Sequence, residues 1–218
     1  MLLRSVVPSM WICCLVACCQ GCGEPVEHRN ERLRMERIIS LVREFEKHLE
    51  NAESFGERDQ YDDAIGQYTT AIDLYEVIVK EGGQRNIPRR RSWPRLNRGL
   101  CYYNKCNREY ELRDVRDRQP DLEPLPPDAQ KAIADFSACI REDVTGDAYY
   151  YRAELYKDIN YVNDGYKANA KKYLDMAVAD YRRAVEISAN EGPDSEDYRK
   201  FKAGLEHALE MQRIQMQR

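Results

Sequence analysis

The sequence predicts an all-α protein of about seven helices, arranged as antiparallel pairs, on three observations. First, a nine-residue pattern occurs three times: Ala64-Ile65-Gly66-Gln67-Tyr68-Thr69-Thr70-Ala71-Ile72, Ala132-Ile133-Ala134-Asp135-Phe136-Ser137-Ala138-Cys139-Ile140 and Ala177-Val178-Ala179-Asp180-Tyr181-Arg182-Arg183-Ala184-Val185. In each copy a small residue is followed four places on by an aromatic and three further on by another small residue. Those positions share one helix face, and small residues bracketing a ring let a second backbone come close. Second, helix formers dominate the body, while Gly and Pro number only 11 and 9, which disfavours a turn-rich sheet protein. Third, 218 residues with 43% hydrophobic and 33% charged can bury the core of one domain, which excludes wholesale disorder. Three like faces in one chain suggest one unit used three times.

The N-terminus reads as an address. Arg4 provides a positive flank, and Val6 to Ala17 form an apolar run interrupted only by Pro8 and Ser9, too short to span a bilayer comfortably. Leu15-Val16-Ala17-Cys18 resembles the lipobox of a bacterial lipoprotein signal. That resemblance implies a signal peptide over 1–17, lipidation of Cys18 and a linker over 18–30. Cys19 is not the aspartate associated with inner-membrane retention, which favours the outer membrane; Cys22 is a poorer second candidate for the lipid. An ordinary cleaved secretory signal, and a short anchor whose clustered cysteines are acylated on the cytosolic side, remain open.

The body is then read in order. Residues 31–57 form an amphipathic helix with Leu33, Ile38, Leu41, Val42, Phe45, Leu49, Ala52 and Phe55 near helical spacing. Gly56 permits a turn into a second helix from Tyr61 to about Lys80, stopped by Glu81-Gly82-Gly83. Residues 81–92 are a loop whose Arg85, Arg89, Arg90 and Arg91 make a solvated connection or meet phosphate or an acidic partner. A third helix runs from about Pro94 to Asp117, and the prolines of 118–127 interrupt the chain. Asp128 is an acceptable N-cap for the fourth helix, and Thr145-Gly146-Asp147 separates it from a fifth that begins near Ala148. A break around 160–165 precedes the sixth, which ends before Asn190-Glu191-Gly192-Pro193. Asp194 or Ser195 caps a last helix with Tyr198, Phe201, Leu205, Leu209 and Ile214 on one side. The hairpins are thus 31–80, 93–143 and 147–189, within a body over 31–190, and 195–218 closes it.

Asn97-Arg98-Gly99-Leu100-Cys101-Tyr102-Tyr103 resembles the first helix of a tetratricopeptide repeat (TPR), with Gly99 where the pair must come close and Tyr102 as the packing ring. Ala52 with Phe55, and Ala153 with Tyr156, hold the same places in the other hairpins, so the nine-residue pattern falls on each second helix. The resemblance covers roughly residues 40–190 and implies a right-handed superhelical array of helix pairs, closed by a capping helix with a polar outer face. Two departures stand against regularity. Ala64 and Ala132 lie about two repeat periods apart with one hairpin legible between them, leaving room for a degenerate fourth unit around Gly99, Tyr103 and Cys106, and the third unit carries extra chain.

No enzyme signature is present: His28, His48 and His207 are scattered, with no HExxH and no Gly-rich phosphate loop, and no metal or cofactor is expected. The net charge of -4 argues against nucleic acid. What the TPR resemblance implies is a protein or peptide partner, and no small-molecule substrate. Aligning the small packing residues puts Leu49, Glu53, Trp93, Leu96, Leu100, Tyr103, Asn104, Tyr150, Glu154 and Lys157 on the inner, partner-binding surface, where some would equally serve as packing between hairpins. TPR clamps for acidic chaperone tails need basic and amide side chains that only Asn97 matches; Leu49, Glu53, Asp147 and Tyr151 stand in the other places. The expected function is therefore a lipid-anchored interaction scaffold on the periplasmic side of the cell envelope. The alternative is a small redox or metal-binding protein using Cys101, Cys106 and Cys139.

Overall fold

The computed structural model describes residues 26–87, 92–111, 125–143, 145–162 and 168–217. The expected signal segment 1–17, Cys18, Arg89 to Arg91 and most of the proline-rich stretch lie outside the described residues. Among the described residues there are seven α-helices and one short 3-10 turn, with no strand. They are α1 (Val26–Gly56), α2 (Tyr61–Lys80), α3 (Trp93–Glu111), α4 (Pro127–Glu142), α5 (Gly146–Val162), α6 (Ala168–Glu191) and α7 (Glu196–Met216).

Hydrophobic spacing decides what each helix buries. α1 turns Ile38, Phe45, Leu49 and Ala52 to the core, and α2 answers with Ala64, Tyr68, Ala71, Ile72, Tyr75 and Ile78. α1 starts at Val26, so residues 26–30, expected in the linker, are already helical. Asp59, with φ 58, turns the chain between α1 and α2. At the far end Gly82, with φ 79, lets Gly83 N–H reach back to the Ile78 carbonyl at 2.8 Å and terminate α2. α4 begins at Pro127, with Pro126 rather than Asp128 as its N-cap residue. Proline fits that first turn because its missing N–H would have had no partner there.

Ser195 caps α7 by accepting from Tyr198 N–H at 3.1 Å. The face of α7 differs from expectation. Phe201 and Ala208 are buried and Leu205 and Met211 pack on the core, whereas Leu209 and Ile214 are exposed. The seam follows the 201, 205, 208 spacing that stays in line with α6, and Leu209 and Ile214 rotate off it.

Each helix packs on its chain neighbours, and α3 also meets α5 while α5 meets α7. One core cluster joins α1 and α2 with Cys101 of α3; the other joins α3 through α7. Close approach is enforced where the sequence is smallest. A Cβ on Gly99 would stand 2.7 Å from the Phe136 ring, and one on Gly204 would stand 2.6 Å from Tyr181. Both glycines are there because a ring occupies the space of a side chain.

The repeated pattern also carries a polar joint. Arg98 of α3 donates to both carboxylate oxygens of Asp135 on α4, at 2.8 and 2.7 Å, and to Thr69 Oγ1 on α2 at 3.0 Å. One hairpin later, Arg152 of α5 donates to both oxygens of Asp180 on α6, at 2.7 and 2.8 Å, and to Ser137 Oγ on α4 at 2.8 Å. Asp135 and Asp180 occupy the fourth place of the nine-residue pattern; Thr69 and Ser137 occupy the sixth. Each joint therefore ties a hairpin to itself and to the hairpin before it. The first copy has Gln67 in the fourth place, which meets His48 Nδ1 at 2.6 Å, and the third has the exposed Arg182 in the sixth.

Candidate functional site

The ten residues expected to bind a partner lie on the first helices α1, α3 and α5. Leu49 is wholly buried at 0% exposure, so it faces the core and not a groove. Its position, four residues after Phe45 and three before Ala52, keeps it in the seam against α2. Glu53 is half-buried. Trp93 packs edge-on against Tyr68, with centroids 6.3 Å apart. Leu96, Leu100 and Tyr103 are half-buried on the core cluster shared by the second and third hairpins. Tyr150 stacks on Phe201 at 4.9 Å and meets Tyr181 and Tyr151 edge-on. Of the ten, Asn104 alone is exposed. The chaperone-clamp position Asn97 donates to the Trp93 carbonyl of its own helix.

A polar network of two adjoining clusters lies between α3, α5 and α6. Tyr103 donates to Asp158 at 2.6 Å, and Asn107 bonds to the same pair. One turn back on α5, Glu154 accepts from Tyr181 and from Lys157, each at 2.5 Å, and Tyr150 bonds to it as well. Lys200 of α7 sits over the Tyr150 and Tyr151 rings at 4.4 and 4.7 Å and bonds the Tyr151 hydroxyl at 3.2 Å. Asn107, Asp158, Tyr181 and Lys200 were not among the expected site residues. The four-residue spacing of Glu154 and Asp158, which puts both on one helix face, was the available signal.

Burial raises the Asp158 carboxyl above its usual range, against the lowering effects of the Tyr103 and Asn107 bonds and of Lys157. The folded chain then holds this proton more tightly than the unfolded chain. The stabilisation that follows is present below about pH 4 and is lost as pH rises through the raised value. An amide carries no such dependence. In urea titrations, Asp158→Asn is expected to gain stability relative to the native chain as pH rises above about 4. A difference independent of pH would contradict the burial of this charge.

A second feature lies at the edge of this surface. Asn104, Asn107 and Arg108 project from one side of α3 toward the α1–α2 turn, where Asp59 and Tyr61 complete a depression of about 530 Å³. Tyr61 donates to Asp59 at 2.7 Å, while Arg108 stands 3.8 Å from the other oxygen of Asp59. Hydrogen bonding to Asp59 is the main cause that raises the Tyr61 hydroxyl above its ordinary value.

The three body cysteines are buried and free. Burial pushes the Cys101 thiol up to about 11 and Cys139 up to about 12, so both stay protonated at neutral pH, and Cys139 donates to the Ser92 carbonyl at 3.3 Å. A thiol held neutral is a poor nucleophile and a poor metal ligand. Among the described residues no group of three or more His, Cys, Asp or Glu is placed to hold a metal ion, and no helix is long and apolar enough to cross a membrane. Compared with known proteins, the chain matches no family model, no curated protein and no solved structure.

Proposed function

We propose that the chain is a non-catalytic interaction scaffold of TPR type, anchored in the cell envelope by a lipid on Cys18, on the periplasmic side and at the outer membrane in preference to the inner. In this reading the hairpins continue as a right-handed superhelical array, and the first helices line the surface that takes a partner protein or peptide. The observation that carries it is the packing of α3 on α5 and of α5 on α7, which sets two first helices and the last helix along one side of the molecule. The half-buried tyrosines and paired polar groups of that side suit protein recognition better than catalysis, since each carboxylate of the network is already hydrogen-bonded.

A photo-crosslinking side chain placed at Asn104, or at Glu53 on α1, tests the partner surface, with Lys202 on the exposed side of α7 as the control. One defined protein is expected to be captured from the first two positions and not from the third. Equal capture from all three would sink the proposal. The anchor is tested separately by mass spectrometry of membrane-extracted protein, where an unmodified Cys18 or a retained Met1 refutes it.

A further inference from the structure

We propose that the depression between the α1–α2 turn and the C-terminal half of α3 binds a neutral, hydroxyl-rich ligand of the saccharide class. Four of its five lining residues, Asp59, Asn104, Asn107 and Arg108, carry planar polar groups; Asp59, Asn104 and Arg108 each offer two coplanar hydrogen-bonding atoms, while the Asn107 amide nitrogen is committed to Tyr103 and Asp158 and only its oxygen remains. Such pairs match the two neighbouring hydroxyls of a sugar ring, each of which both donates and accepts. One carboxylate and one guanidinium face the same space, so the lining carries no net charge. An anion would be opposed by Asp59 and a cation by Arg108, whereas a neutral polyol uses both.

The two charges are available. Their side chains are 57% and 62% exposed and their closest approach is 3.8 Å, a loose pair worth little to the fold. Among the described residues Asn104 makes no side-chain hydrogen bond. Asn107 is oriented by its bonds to Tyr103 and Asp158, and the Tyr61 hydroxyl is held by Asp59, which leaves the phenol ring to offer apolar surface to ring C–H groups. The depression of about 530 Å³ is polar and open to solvent, so a ligand would lie against it and not be enclosed. This site shares Asn104 with the proposed partner surface, but its binding of a saccharide does not depend on a protein partner.

The test is an NMR titration of the full chain that follows the side-chain amides of Asn104 and Asn107. The probes are maltotriose, cellotriose and triacetylchitotriose, with acetate and ethylammonium as charged controls. Saturable shifts of both amides are expected with at least one saccharide, weakened about tenfold or more by Asn104→Ala and by Arg108→Met. Both changes fall on exposed side chains, and an unaltered circular dichroism spectrum would show that the fold is kept. The proposal is overturned if no saccharide shifts the amides, if either charged control binds more tightly, or if both variants bind as well as the native chain. None of these outcomes bears on capture of a protein partner.

Discussion

Asp135→Ala is expected to lower the stability of the fold by about 3 kcal/mol, read as a fall of about 10 °C in Tm. Asp135 is 6% exposed, and its side chain is the bidentate partner of the Arg98 guanidinium, itself only 17% exposed. Removing the carboxylate leaves that cation in a dry place with only Thr69 for company, and the cost is the desolvation of an uncompensated charge. Asp62→Ala removes the same chemical group from an ion pair of similar length, 2.6 Å to Lys105, but Asp62 is 80% exposed there. Its loss is expected to cost below about 0.5 kcal/mol. A double change, Arg98→Met with Asp135→Leu, removes both charges together and is expected to recover most of the loss. If Asp135→Ala and Asp62→Ala cost the same in urea unfolding, the joint does not hold the hairpins together.

The second large effect is at Tyr181, where Tyr181→Ala is expected to cost about 4 kcal/mol and Tyr181→Phe about 1 kcal/mol. Tyr181 is wholly buried, lies edge-on to Tyr150 and fills the space left by Gly204 of α7. Truncation to alanine would open a cavity among α5, α6 and α7 and loosen the packing of α7. Phenylalanine keeps the ring and removes only the hydroxyl bonded to Glu154, which still has Lys157 and Tyr150 as partners. Calorimetry of the two variants separates packing from hydrogen bonding. Equal losses would mean that the hydroxyl, and not the ring, secures this end of the molecule.

The helices themselves were legible because their cause is local. Hydrophobic spacing, the glycines after Lys80 and the Ser195 cap each act within one or two turns, and the structure follows them closely in α2, α6 and α7. The place of Gly99 could also be read, because a glycine inside a helix costs stability and is tolerated where a neighbour comes close. The surface was harder to read. Leu49 and Leu96 hold matching places in their hairpins, yet Leu49 is sealed in the core and Leu96 is only half-buried against the next hairpin. Their local sequences do not contain the difference, which depends on which helices pack around each of them.

The polar joints divide along the same line. The sequence by itself determined the helix count and the threefold pattern, with a carboxylate in the fourth place of two copies and a hydroxyl in the sixth place of two. Periodicity and residue size act between residues a few places apart, and they leave their mark on the chain. Only the tertiary structure decided that Arg98 reaches from α3 to both α4 and α2, and that Arg152 repeats the reach from α5 to α6 and α4. It also decided that Asp158 is closed over by Tyr103, and that Asn104, Asn107 and Arg108 face the turn at Asp59. These groups come from different helices, and a hydrogen bond among them depends on where whole helices lie. Packing fixes that placement, whereas the spacing of residues along one helix does not.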